Sequence, residues 1–120
     1  MGYRSTATCV ASCVACTGVV GLIPTSEAQL EKATLRVLRA SDALCYKFAS
    51  PAKRGVPDDI VLLKYGETVF VEFKNPNGRG ALSKLQEINI EKINSQGFKV
   101  FVVGSLKQAD DFIDYCLLDN

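Results

Sequence analysis

The sequence predicts an α/β domain in which a mixed β-sheet is flanked by helices, in the order α-β-β-β-α-β-α. Three observations carry that expectation. Two β-rich runs, residues 58–64 and 67–74, meet at Tyr65-Gly66 and read as a hairpin. Stretches with helical spacing of apolar residues, each opened by a serine, stand on either side of it. A further β-rich run, Phe98 to Val103, follows the second helical stretch.

Each element has a local cause. Ser26 can cap the first helix, and Gln29, three residues on, suits a capping box. Leu30, Ala33, Thr34, Val37 and Leu38 then recur on one face as far as Ala40. Leu44 to Phe48 reads as a strand, and residues 50–57 as a turn-rich loop bearing the adjacent cations Lys53 and Arg54. After the hairpin, residues 75–80 form a second loop, with Pro76, Gly78, Gly80 and the cation Arg79. Ser83 and Gln86 repeat the capping pattern for a second helix ending at Gly97. A last helix is expected from Ser105 to about Leu118. Tyr65, at the hairpin tip, is expected to pack on the turn.

With 120 residues, 48% apolar and 22% charged, the chain has material for one core. The domain is expected over residues 26–120, preceded by an apolar, cysteine-containing extension over 1–25. Net charge is +1, so the molecule as a whole does not attract polyanions. Its charge is uneven, however: Lys47 to Lys84 holds seven Lys/Arg against four Asp/Glu, while Asp110, Asp111, Asp114 and Asp119 make the C-terminal end acidic. There is no histidine. That excludes Ser-His-Asp and Cys-His triads and imidazole-bound zinc, and leaves carboxylates, lysine and a metal. The cysteines number five, which argues against a fully paired disulfide set. Cys45 and Cys116 lie in apolar runs and read as reduced core residues, as in a cytoplasmic protein.

Residues 5–23 are small and apolar but too weakly hydrophobic for a membrane span. Cys9, Cys13 and Cys16 have a spacing that resembles an iron–sulfur cluster loop. No barrel of the kind that accompanies such a loop follows, and the segment reads as an accessory tail.

The hairpin gathers the chemistry. With its turn at Tyr65-Gly66, Asp58 falls opposite residues around Phe73, beside Glu72 and Lys74. Side chains two apart on a strand share a face, so Glu72 and Lys74 point together, while Val69, Val71 and Phe73 cover the other side. Taken singly, Asp58 reads as a turn residue after proline, and Glu72 and Lys74 as an exposed strand face. Together they are two acids and a lysine at one place, costly to bury unless compensated. A divalent cation such as Mg²⁺ compensates directly, with Asp58, Glu72 and the Phe73 carbonyl as its oxygen donors. Lys74 would then orient or deprotonate the attacking water.

Gly55-Val56-Pro57-Asp58 followed by Val71-Glu72-Phe73-Lys74 resembles the Pro-Asp…Glu-x-Lys signature of PD-(D/E)XK nucleases. Ser50 to Asp58 is similar to the basic Ser-Pro loop of stand-alone, phage-type VRR-NUC domains. Leu82-Ser83-Lys84-Leu85-Gln86 resembles their Leu-Ser-x-x-Gln helix start. The resemblance spans about residues 26–115. It implies a restriction-endonuclease-like core and a Mg²⁺- or Mn²⁺-dependent endonuclease in the cytoplasm, the host's for a phage protein. It also implies a homodimer acting on DNA, branched DNA in particular, without a membrane. A glutamate on the first helix would complete the site. Glu27 and Glu31 both qualify, the family pattern leaning to Glu27. Gln86 would lie near the site, in contact with Lys74, water or substrate. Lys53, Arg54, Arg79 and Lys84 would meet phosphates. Asp59 stands where these proteins often carry a cation, and the loop after Lys74 is slightly long.

Overall fold

The computed structural model describes residues 23–77 and 81–118. Its elements are α1 (Glu27–Ala40), β1 (Leu44–Lys47), β2 (Asp59–Leu62), a short 3-10 turn (Lys64–Gly66), β3 (Thr68–Phe73), α2 (Lys84–Ser95), β4 (Lys99–Val103) and α3 (Leu106–Leu117). This is the expected order. Cys9, Cys13, Cys16 and Arg79 lie outside the described residues.

The four strands form one sheet in the order β1-β2-β3-β4. β1 and β2 pair antiparallel, as do β2 and β3, and β4 runs parallel to β3. A parallel neighbour cannot be reached by a tight turn, so the chain crosses over through α2 before β4.

The register divides the sheet into two faces. Val69, Val71 and Phe73 of β3 point to one side, with Asp59 and Val61 opposite them on β2 and Phe101 and Val103 beside them on β4. α1 and α3 cover that side. Leu30, Leu35, Val37 and Leu38 from α1 and Ala109, Phe112 and Ile113 from α3 close over the strands to make the core. Cys45 and Cys116 are buried in it as free thiols. The other side carries Phe70, Glu72, Val100 and Val102 and receives α2, whose one buried residue is Asn89.

Two local details differ from expectation, at the start of α1 and at the hairpin tip. At α1 the Ser26 side chain accepts from the Gln29 N–H, but the Gln29 amide oxygen takes its hydrogen bonds from Thr25, at 2.8 and 3.1 Å. The box therefore closes one residue further out. At α2 the capping box of Ser83 and Gln86 is complete. At the hairpin tip Tyr65 adopts φ 68° and is 86% exposed, so it does not pack on the turn. With Gly66 also at positive φ, the tip is a tight reversal closed by the Leu63 N–H on the Glu67 carbonyl.

Candidate active site

The ladder pairs Asp59 with Val71, so Asp58 stands one step beyond the last regular pair. There the strands no longer exchange regular bonds, and the Asp58 side chain substitutes for one: the Phe73 N–H donates to Asp58 Oδ2 at 2.8 Å. The Asp58 carbonyl in turn accepts from the Phe48 N–H at 2.8 Å, tying the residue to the end of β1. Beyond β3, the Lys74 N–H donates to the Val103 carbonyl at 2.8 Å, which fixes the lysine backbone as an extension of the parallel pair.

Glu72 and Lys74 face the same way, as their spacing requires, and both are nearly enclosed. Their side chains are 4% and 12% exposed, with Lys74 Nζ 3.6 Å from Glu72 Oε2. Gln86 spans them. Its Nε2 donates to Glu72 Oε2 at 2.7 Å, and its Oε1 accepts from Lys74 Nζ at 2.9 Å. The same Oε1 accepts from the Ser83 N–H at 2.9 Å, so the capping box that starts α2 also sets the Gln86 rotamer. One amide links the helix start, the lysine and the acid.

The acids are held against their preference. Burial, with the charge of Asp58 behind it, pushes the Glu72 carboxyl up to about 7. Asp58 is raised as well, by burial first and by the field of Glu31, although its bond from Phe73 N–H opposes the rise. Two partly desolvated carboxyls that repel one another suit a cation between them. Among the described residues no three His, Cys, Asp or Glu side chains gather closely enough to hold a metal unaided. The side-chain donors at hand are the two carboxylates of Asp58 and Glu72. A set this small and all-oxygen fits an ion that retains several waters, such as Mg²⁺ or Mn²⁺, and does not suit zinc.

The two helix glutamates have different surroundings. Glu31 accepts from Lys47 Nζ at 2.7 Å. It also shares a hydrogen bond with Asp59, which is 1% exposed. As a carboxylate Asp59 would leave Oδ2 without a donor; as an acid it donates to Glu31. Burial and the neighbouring Glu31 raise Asp59 to about 8. Burial alone would raise Glu31 too, but Asp59 and Lys47 outweigh it and hold Glu31 below its ordinary value. Within this pair Asp59 is the member pushed toward its protonated form and Glu31 the member held toward its ionised form. Glu27, in the first exposed turn of α1, lies within the field of Glu72.

The structure thus brings Asp58, Glu72, Lys74 and Gln86 together, with Glu27 nearby and Glu31 turned to Asp59 and Lys47. Lys53 and Arg54, on the loop before Asp58, and Lys84, at the start of α2, are exposed. Two participants escape a reading of the sequence: Asp59, whose burial follows from strand alternation once the register is known, and Asn89. Asn89 stands three residues after Gln86 on the same helix face, where an apolar residue would be routine; that polar residue was the available signal.

An aspartate at the mouth of a hairpin, a Glu-x-Lys on its second strand and a helix-borne glutamine, set on a mixed sheet with helices on both faces, define a nuclease domain of the PD-(D/E)XK kind. The chain belongs to the VRR-NUC domain family, whose sequence profile matches residues 22–106. It is similar to "Putative nuclease p44" of Acyrthosiphon pisum secondary endosymbiont phage 1, with 35% identity over 79 residues, 66% of this chain and 83% of that protein. A solved structure described as a VRR_NUC domain superposes with a TM-score of 0.70 at 32% identity, over 77% of this chain and 98% of that one.

Proposed function

We propose that this protein is a divalent-metal-dependent endonuclease that hydrolyses phosphodiester bonds in DNA, with a preference for branched structures, and that it works as a homodimer. The observation that carries the reading is the Gln86 bridge, which holds an acid of raised pKa and an ammonium group side by side next to the fixed carboxylate of Asp58.

Asp58, Glu72 and the Phe73 carbonyl would hold the Mg²⁺ or Mn²⁺ ion, with Glu27 as the helix acid beside them, since Glu31 is already engaged. Once bound, such an ion neutralises charge on the scissile phosphate and makes water more acidic. Lys74 Nζ, kept in place by Gln86 Oε1, orients the attacking water and donates to the phosphate oxygens as their charge grows. Gln86 Nε2 keeps Glu72 turned toward the site. Lys53, Arg54, Lys84 and Arg79 take flanking phosphates, which position the strand without reading its sequence. A compact chain contacting backbone in this way selects shape over sequence, and two such sites about a two-fold axis suit paired cuts in a junction. No described helix is long and apolar enough to cross a membrane; the proposed place of action is the cytoplasm.

The test is incubation with labelled flap, Holliday-junction and linear duplex DNA in Mg²⁺, Mn²⁺ or EDTA. Cleavage of the branched substrates in metal, absent in EDTA, is expected. Failure to cut any of them in either metal overturns the proposal.

A further inference from the structure

α2 is an unusual helix for its position. Its one buried side chain is an asparagine, 4% exposed, where the facing layer across the sheet is aliphatic and aromatic. Asn89 Nδ2 donates to the Arg54 carbonyl at 2.8 Å and to the Leu85 carbonyl of its own helix at 3.1 Å. The loop is shaped to accept this contact. Gly55, next to Arg54, sits at φ 82°, and a Cβ there would come within 2.8 Å of Asn89 Nδ2 and 2.9 Å of Leu85 Cγ. Only glycine allows the backbone so close. A buried amide aimed at a loop carbonyl, met by a glycine that gives it room, is a fitted dock.

What this dock holds is the basic tip of the loop. Lys53 and Arg54 are exposed, four and three residues before the buried Pro57, which precedes the site aspartate Asp58. One helical turn earlier on the same face of α2, Gln86 holds Glu72 and Lys74. Three residues of helix advance about 4.5 Å, so the two contacts are made side by side from one face. α2 is therefore a ruler with two marks, one fixing the acids and lysine, the other fixing two cations.

We propose that Asn89 is a positioning residue for nucleic-acid binding: through the Arg54 carbonyl it holds Lys53 and Arg54 in register with the reacting group. The inference rests on the proposed nuclease activity and deepens it by naming the residue that sets where the flanking phosphate is gripped. Asn89 touches neither substrate nor reacting atoms.

The test uses Asn89→Leu, which keeps size and removes the donor without adding charge, and Gly55→Ala, which breaks the same dock from the loop side. Limited trypsin digestion of the full chain reads the dock without any substrate, because trypsin cuts after Lys53 and Arg54. Cutting there is expected to be about tenfold faster in both variants, the scale of one lost hydrogen bond. On DNA, KM should rise about five- to tenfold with kcat within about twofold. The slope of log K against log salt should fall by about one, as for a lost phosphate contact. In a Lys53→Gln, Arg54→Gln background, Asn89→Leu should change binding no further, since the pair it positions is gone. A merely structural asparagine would cost the same in both backgrounds and would lower kcat and melting temperature together; that result overturns the proposal. So does unchanged trypsin cutting, or unchanged KM in both variants. If the wild-type protein cuts no DNA while the trypsin result holds, the nuclease reading fails and the dock stands.

Discussion

The two layers on either side of the sheet are held by opposite means. α1 docks through Leu30, Ala33, Thr34, Leu35, Val37 and Leu38, all buried, and α3 through Ala109, Phe112, Ile113 and Cys116. α2 has no fully buried apolar residue: Ile90 and Ile93 are half-buried, and Asn89 and the Gln86 amide make its hydrogen-bonded contacts. Apolar burial stabilises in proportion to area and has little directionality. Hydrogen bonds contribute about 1 kcal/mol each and somewhat more to charged groups, and unlike apolar contacts they are directional. The first layer makes the fold and the second arranges the chemistry. Asp58 and Asp59 show the division within two residues: strand alternation buries Asp59 in the α1 layer against Glu31 and leaves Asp58 at the strand end.

If the layers are separable, substitutions in them should fail in different ways. The largest effect is expected from Lys74→Ala, which removes the ammonium group from the α2 side. Cleavage should fall about a thousandfold, the range for loss of a positioned acid–base or charge-stabilising group, with DNA binding retained and melting shifted by only a few degrees. Leu38→Ala should do the reverse. It empties a fully buried position in α1 and should cost about 3 kcal/mol of stability, measured by denaturant unfolding, while kcat of the folded fraction stays at the wild-type value. A Leu38 variant that is stable but inactive would break the division.

A smaller effect follows from the carboxyl of Glu72, raised to about 7 by burial and by Asp58. Its folded-state value lies above the ordinary one, so between the two the folded protein binds more protons than the unfolded chain. Stability from this group is therefore full below about pH 4.5 and lost as pH rises through about 7. Without metal, the protein should lose on the order of 2 kcal/mol from this group between about pH 5 and about pH 8. Mg²⁺ binds the ionised form, so it should raise the melting temperature more at about pH 8 than at about pH 5. Equal metal stabilisation at both would show that Glu72 is not a ligand.

The sequence was most informative where a local rule has no competitor. Serine caps, the 3.6-residue stripe of α1 and the turn at Tyr65-Gly66 specify all seven main elements in order, and alternation places Glu72 and Lys74 on one face. Contacts set by tertiary register were less legible. Asp59 is an acid in a polar-looking stretch until the pairing with Val71 puts it inside. Whether Glu27 or Glu31 stands nearer Glu72 depends on the rotation of α1 and on the claim of Lys47, from a strand sixteen residues away, upon Glu31. Asn89 looks like a surface residue of a polar helix because its partner is a backbone carbonyl, which has no side-chain signature. Tyr65 went the other way: an aromatic at a turn suggests packing, but the positive φ that the tight reversal demands turns it outward.

The smallest effect is the one that joins the layers' two languages, a helix cap acting on chemistry. Ser83 Oγ accepts from the Gln86 N–H at 3.1 Å while the Ser83 N–H donates to Gln86 Oε1 at 2.9 Å. Ser83→Ala leaves the second bond possible but removes the first, so the opening turn of α2 loosens and Gln86 samples rotamers that release Lys74 and Glu72. Loss of such a cap costs about 1 kcal/mol, whereas glycine at the same position costs only a few tenths. If the cap works through Gln86, kcat should fall about three- to tenfold in Ser83→Ala and less in Ser83→Gly, KM should be unchanged in both, and Ser83→Thr should restore the rate. A loss in KM alone, or a glycine variant slower than alanine, would mean that the helix start does not govern the site and that Gln86 is held by Lys74 and Glu72 themselves.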